Sequence, residues 1–264
     1  MLELNKDNYY SQQANIDYMS CSQFKEFGEC PNKALAKLRG DYVEEKTPAL
    51  LFGVYVDAYF SSELDTFKEL NQDMFNTKTG ELKAPYKNIE KVIETIKNDQ
   101  LFLDHISGEN QVIMVGEIGG VPFKIKMDSY FPNEMIVDLK TIKDLDKVWS
   151  NEQGKYVDFV ERYGYDIQGA IYQEIVRQNT GKTLPFRLAI CTKEDVPDKL
   201  IIEIDQEYLN KALRQVKDLA PYFQKIKQGL VAPIECGHCD YCKSQKKLTT
   251  NDIVKYSKFR GDYE

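Results

Sequence analysis

Apolar and polar positions alternate most cleanly between residues 111 and 139, and the pattern predicts three consecutive antiparallel strands. Residues 111–118 form the first. Gly119-Gly120 then supplies a tight turn, because glycine takes positive φ at little cost. Along residues 121–131, Val121, Phe123, Ile125 and Met127 fall on one face, and Lys124, Lys126 and Asp128 on the other. Pro132-Asn133 turns the chain again. Residues 135–139 read as a short apolar strand of the kind covered on both faces.

The flanking pattern is helical. Residues 1–15 read as a loosely ordered lead-in. Ser20 suits an N-cap for a helix to about Leu38, ended by Gly40. Cys30-Pro31 falls inside it, so this segment is one helix or two short ones. Thr47-Pro48 opens a helix carrying Leu50, Leu51, Val54, Ala58 and Phe60, on which Gly53 and Asp57, four apart, share a face. Residues 65–85 are polar, and Ile89, Val92, Ile93, Ile96, Leu101 and Leu103 predict an amphipathic helix over 86–105. Residues 143–158 read as a charged connection holding Trp149, either a hydrophobic anchor or a surface on which a base could stack. A strong helix follows at 163–179, then strands at 186–192 and 199–204. Asp205 begins a long helix to about Gln228. No repeat or linker divides the chain, so residues 1–264 read as one domain. It has a helical part (1–108), a core (109–228) and a cysteine-containing segment (229–264).

Two acids interrupt the apolar core. Asp128 ends the second strand, and Asp138 sits where Ile136, Val137 and Leu139 predict burial, a costly place for an unpaired carboxylate. Asp138 and Lys140, two apart, point the same way from the strand. The pair is a structural salt bridge, or half of a metal site in which converging carboxylates hold Mg²⁺ or Mn²⁺ and the lysine serves a bound water or a developing charge.

Charge changes this picture little. The net charge of −7 disfavours a broad phosphate-binding surface. Lys124, Lys126, Lys140, Lys143 and Lys147 nevertheless surround the acidic hairpin, and Lys243, Lys246 and Lys247 cluster later, which favours a local groove. With only His105 and His238, a histidine triad, a zinc protease or a histidine-based nuclease is excluded from the reading. No apolar run reaches membrane-span length and residues 1–13 lack a signal-peptide core, so the expected location is cytoplasmic.

Asp128 followed by Asp138-Leu139-Lys140 in a β-hairpin resembles the core of the PD-(D/E)xK nuclease superfamily. Gln168-Gly169-Ala170-Ile171-Tyr172 resembles the QxxxY motif of its RecB-like branch. Gly53-Val54-Tyr55-Val56-Asp57 resembles that branch's G-xxx-H motif, with aspartate in place of histidine. The nearest likeness is to phage recombination exonucleases of the exonuclease VIII (RecE) type. It implies a mixed α/β, restriction-endonuclease-like fold, a central mixed sheet with an antiparallel hairpin flanked by helices. The implied activity is metal-dependent exonucleolytic hydrolysis of linear double-stranded DNA in phage-type recombination or repair. An endonuclease, or a nuclease-fold binding protein without activity, is the alternative. Asp57, Asp128, Asp138 and the Leu139 carbonyl would hold Mg²⁺ or Mn²⁺. Asp128, Asp138 and Lys140 would carry the chemistry, with Gln168 and Tyr172 positioning the phosphate or Lys140. The implied partners are DNA ends, a single-strand annealing protein, and copies of the chain in a closed ring, with no membrane.

Six cysteines remain, and disulfides are not the default in a cytosolic chain. Cys236, Cys239 and Cys242 stand at intervals of three and need a fourth ligand. Cys30 resembles the early cysteine of iron–sulfur RecB-like nucleases, which use one early and three late cysteines to hold a [4Fe–4S] cluster. Zn²⁺, completed by His238 or Cys30, and free thiols are the other candidates. Cys21 and Cys191 read as buried small apolar residues.

Overall fold

The computed structural model describes residues 1–150 and 153–260. Its first elements are α1 (Gln12–Asp17), β1 (Met19–Ser20), α2 (Cys21–Glu29), α3 (Pro31–Arg39), α4 (Pro48–Phe60), α5 (Leu64–Leu70), α6 (Ile89–Lys97) and α7 (Gln100–Ile106). Cys30 makes two helices of the first helical segment. In extended conformation it closes α2 and caps α3, its sulfur accepting the Lys33 amide at 3.4 Å, with Pro31 at the first position of α3.

The strands β2 (Val112–Ile118), β3 (Val121–Met127), β4 (Ser129–Phe131) and β5 (Met135–Ile142) follow. β2 and β3 pair antiparallel from Val112↔Met127 to Ile118↔Val121, and β1 joins β3 in parallel. The single strand expected over 121–131 breaks at Asp128. β3 belongs to a three-stranded sheet, and β4 turns away to pair with β5 in another.

Beyond β5 come β6 (Val148–Ser150), β7 (Lys155–Val157), α8 (Phe159–Tyr163), α9 (Tyr165–Thr180), β8 (Phe186–Thr192), β9 (Lys199–Glu203), α10 (Gln206–Lys227), α11 (Asp240–Gln245) and α12 (Tyr256–Arg260). The second sheet is mixed, in the order β4-β5-β8-β9, with β5 and β8 parallel. This is the expected mixed α/β architecture.

Alternation along β5 sends its side chains into two apolar clusters. Ile136 and Ile142 pack with Phe186, Leu188 and Ile190 of β8 under α2, α9 and α10, while Val137 and Leu139 pack with Ala189 and Cys191 under α4, α6 and α7. The middle of α9 is buried from Gln168 to Val176, so this helix is a core helix rather than a one-faced surface one. An added Cβ at Gly169 would come within 2.5 Å of Phe186 Cδ1 and 2.9 Å of Leu209 Cδ2, so glycine lets α9 lie against β8 and α10.

Four local expectations are corrected. Residues 86–105 form two helices, because Asp99 caps the amide of Phe102 and restarts the turn. The polar stretch 65–85 contains most of α5 and buries Phe67 and Met74, anchors too widely spaced to declare a helix. The lead-in 1–15 is tied down: the Leu2 amide donates to Asp17 Oδ2 at 2.7 Å, the Tyr18 hydroxyl donates to the Leu2 carbonyl at 2.9 Å, and Tyr9 is buried. Part of the connection 143–158 is the β6–β7 hairpin, although residues 151 and 152 lie outside the described residues. Trp149 on it is 52% exposed and meets the edge of Tyr156 at 5.3 Å, so it is not a buried anchor.

Candidate active site and cysteine cluster

The break at Asp128 builds the site. Freed from the β3 ladder, its carboxylate turns to β5, and Oδ2 accepts the Leu139 amide at 3.1 Å. Asp138, 1% exposed, lies in β5 between two buried apolar neighbours. Its Oδ1 accepts a hydrogen bond from Gln168 Nε2 at 2.6 Å, and its Oδ2 forms an ion pair with Lys140 Nζ at 2.5 Å. α4 brings in Asp57 from the other side. It approaches β5 so closely that an added Cβ at Gly53 would meet Thr141 Oγ1 at 3.3 Å. A groove of about 890 Å³ opens onto Asp57, Asp128, Asp138, Lys140, Gln168 and Tyr172 together.

The electrostatics show three carboxylates facing Lys140, with Lys126 also attracting Asp57. Burial, then repulsion from Asp138 and Asp57, drives Asp128 well above the ordinary carboxylate range. Burial, reinforced by Asp138 and opposed by Lys140, raises Asp57 to about 6. Burial disfavours the charge on Lys140, but the attraction of Asp138 and Asp128 outweighs it and holds the ammonium protonated.

Among the described residues, buried side-chain atoms with neither a hydrogen-bond nor an ion-pair partner are Ser61 Oγ, both amide atoms of Gln111 and Thr141 Oγ1, while Asp138 Oδ2 has only Lys140. Ser61 is one helical turn from Asp57. Gln111 shares a rung with Asp128, because the pairs Val112↔Met127 and Glu109↔Tyr130 keep one register. Three mutually repelling carboxylates, all hard oxygen donors, fit a divalent Mg²⁺ or Mn²⁺.

Some predicted residues take unexpected partners. Gln168 bonds Asp138 rather than Lys140, and the Tyr172 hydroxyl donates to the Lys126 carbonyl at 3.0 Å. Lys124, expected beside the hairpin as a surface cation, is 1% exposed. Its ammonium donates to the Tyr9 carbonyl and to Asn15 Oδ1, and burial lowers its pKa to about 8. Sequence reasoning missed Tyr9, Tyr10 and Lys25, which also line the groove. The only local signal was an aromatic pair in a polar segment.

The four cysteines come together across the chain. Cys30 Sγ lies 3.6 Å from Cys242 Sγ and 3.8 Å from Cys239 Sγ, and Cys236 Sγ lies 3.9 Å from Cys242 Sγ. All four sulfurs lie within 4.8 Å of one another. Backbone amides point inward: Cys239 N–H donates to Cys236 Sγ at 3.3 Å, and Cys242 N–H to Cys239 Sγ at 3.4 Å. Burial opposes ionisation of Cys236, but such donors lower its thiol to about 6. His238 is exposed and turns Nδ1 to the Cys236 carbonyl at 2.9 Å, so the fourth member of the group is Cys30.

An acid–acid–lysine constellation on a mixed sheet, completed by a glutamine from the following helix, defines a protein of the PD-(D/E)xK type. Residues 20–245 match the family described as "PDDEXK-like domain of unknown function" (DUF3799), and the chain belongs to that family. A solved structure from Eubacterium rectale, described as a "Putative exonuclease", is 44% identical, with a TM-score of 0.91 over 98% of each chain. The solved structure of SSO0001 is 14% identical over 72% of this chain and 84% of that one, and its TM-score of 0.27 supports no argument. No curated protein matches. None of the described helices is long and apolar enough to cross a membrane.

Proposed function

We propose that the chain is a divalent-metal-dependent deoxyribonuclease that hydrolyses linear double-stranded DNA from its ends, in phage-type recombination or repair. The observation that carries this reading is the meeting of Asp138, Lys140 and Gln168 in one groove with Asp128 and Asp57. The resemblance to a solved relative described as an exonuclease supports it. Asp57, Asp128, Asp138 and the Leu139 carbonyl would hold one or two Mg²⁺ or Mn²⁺ ions. When bound, such an ion neutralises charge on the scissile phosphate and lowers the pKa of a bound water.

The remaining work falls to the chain's own side chains. Gln168 holds one oxygen of Asp138, which keeps the other turned to Lys140 and the groove. Lys140 donates from Nζ toward the attacking water and toward the negative charge that grows on the phosphate. Tyr172 pins the Lys126 carbonyl and so fixes the end of β3, from which Asp128 projects two residues on. We take residues 1–264 as one domain, because both apolar clusters rest on the β5–β8 sheet, and keep the cytoplasmic location as the reading of the sequence. A closed ring of copies and a single-strand annealing partner complete the reading by resemblance.

For the cysteine group we propose a structural Zn²⁺. Zn–S bonds of about 2.3 Å in a tetrahedron place sulfurs about 3.8 Å apart; three of the six separations here are 3.6, 3.8 and 3.9 Å and all lie within 4.8 Å. The [4Fe–4S] cluster that the resemblance implies gives each sulfur its own iron and so needs a wider set.

The test uses end-labelled linear duplexes and covalently closed circles with Mg²⁺, Mn²⁺ or EDTA. Linear DNA should be degraded from its ends, circles spared and EDTA should stop the reaction. Rapid cutting of circles would make the protein an endonuclease. Binding without cleavage under either metal would make it a nuclease-fold binding protein.

A further inference from the structure

The acids and Lys140 account for one wall of the groove. The other wall is aromatic and comes from the N-terminal segment. Tyr9 and Tyr10 both line the groove that holds Asp128, Asp138 and Lys140, and their rings meet edge to face at 5.0 Å. Tyr9 is buried and anchored, with the Lys124 ammonium bonded to its carbonyl and 4.5 Å from its ring centroid. Tyr10 is 69% exposed and stands on this anchor, with Lys126 Nζ 4.5 Å from its ring centroid. The segment is strapped at its ends by the Leu2–Asp17 and Tyr18–Leu2 hydrogen bonds, so the exposed ring is held in place.

The position is informative. Lys126 and Asp128 are two residues apart, about 6.6 Å along an extended chain. A strand with one phosphate at Asp128 therefore brings a neighbouring nucleotide to Lys126 and Tyr10. An aromatic face beside an ammonium suits that nucleotide, since the ring takes the base and the cation takes the phosphate. Within a duplex, neighbours cover both faces of an internal base, so the ring can take only a base at a strand end, whose outer face is free.

We infer that Tyr10, backed by Tyr9 and Lys126, is a stacking platform for the terminal base of the DNA strand whose phosphate lies at the acids. This inference rests on the proposed function and narrows its substrate to a strand end, where the last base has a free face.

Binding tests it separately from hydrolysis. Single-stranded oligonucleotides carrying 2-aminopurine at the terminal position are titrated with wild type, Tyr10→Ala and Tyr10→Phe in Ca²⁺, alongside oligonucleotides with an abasic terminus. Wild type and Tyr10→Phe should quench the 2-aminopurine. Tyr10→Ala should lose the quenching and bind about tenfold more weakly, while all three bind the abasic end alike. Tyr10 is exposed, and unchanged thermal unfolding of Tyr10→Ala shows that the fold is intact. Equal quenching by Tyr10→Ala, or an equal loss of affinity on abasic ends, overturns the platform. A protein that degrades linear DNA without Tyr10-dependent quenching loses the platform and keeps the nuclease reading. Tyr10-dependent quenching without hydrolysis keeps the platform and removes the nuclease.

Discussion

The side-chain amide of Gln168 on α9 reaches Asp138 on β5 and donates to its Oδ1 at 2.6 Å. Both residues are buried, so this bond, with the Lys140 ion pair on the other oxygen, orients the carboxylate. Gln168→Ala should cost about 1–3 kcal/mol, the penalty for leaving a buried acceptor unsatisfied. It should also lower activity or metal affinity about 10–100-fold, as loss of a ligand-orienting partner does. Urea unfolding and the Mg²⁺ dependence of hydrolysis measure the two effects. Unchanged metal dependence would show that Asp138 needs no help from α9.

Asp138→Ala and Lys140→Ala should each lower Mg²⁺-dependent cleavage at least about a hundredfold while the protein still unfolds cooperatively. Lys140→Ala removes the cation facing Asp57, Asp128 and Asp138 and should destabilise the metal-free protein, with added Mg²⁺ restoring part of the loss. Full activity in either purified variant would leave Asp138 and Lys140 as a structural salt bridge.

Gly169 should tolerate no side chain. Gly169→Ala sets a methyl group 2.5 Å from Phe186 Cδ1, and α9 must move away from β8. Overpacking of this kind costs about 1–3 kcal/mol. Because Gln168 rides on the same turn, activity should fall with the thermal midpoint. A variant as stable as wild type would mean that the interface yields without strain.

Metal analysis of purified protein should find zinc at one ion per chain, and Cys30→Ser or Cys242→Ser should abolish it. Zinc at about a hundred times its Kd would stabilise the fold by about 2.7 kcal/mol, so a strong chelator should lower the thermal midpoint of wild type and not of the variants. Iron with acid-labile sulfide would replace this assignment with a cluster.

Lys227 gives stability a pH slope. Burial lowers its pKa to about 7, although Nζ bonds the Tyr18 carbonyl at 2.6 Å and Gln23 Oε1 at 3.1 Å. A lysine whose folded pKa lies below its unfolded value binds fewer protons when folded. Stability should therefore rise with pH from about 7 toward the ordinary lysine value near 10.4. Urea midpoints at several pH values check this, and Lys227→Met should flatten the rise. An unchanged slope in that variant would assign it to other groups.

Local pattern determined a large part of this protein. The alternation over residues 121–127, the apolar run at 135–139 and the glycine turn at 119–120 became β2, β3 and β5, because side chains that alternate must bury one face wherever they pack. An acid and a lysine two apart on a buried strand announced the candidate site, since charge there needs a partner, either each other or a metal. Tertiary structure alone decided what those residues meet. Register and sheet exchange turned Asp128 out of its ladder toward Leu139, and α4 brought Asp57 to the acids over an approach that is close at Gly53 and Thr141. The same packing buried Lys124, an ordinary surface cation by its position in the strand, because the N-terminal segment folds over β3 and presents the Tyr9 carbonyl to it. The spacing of Cys236, Cys239 and Cys242 and the Tyr9-Tyr10 pair are local signals, but only packing brings Cys30 to the first and the groove to the second. Periodicity records only which face a residue buries. Which distant segment covers that face depends on loop closure and on the packing of the whole chain.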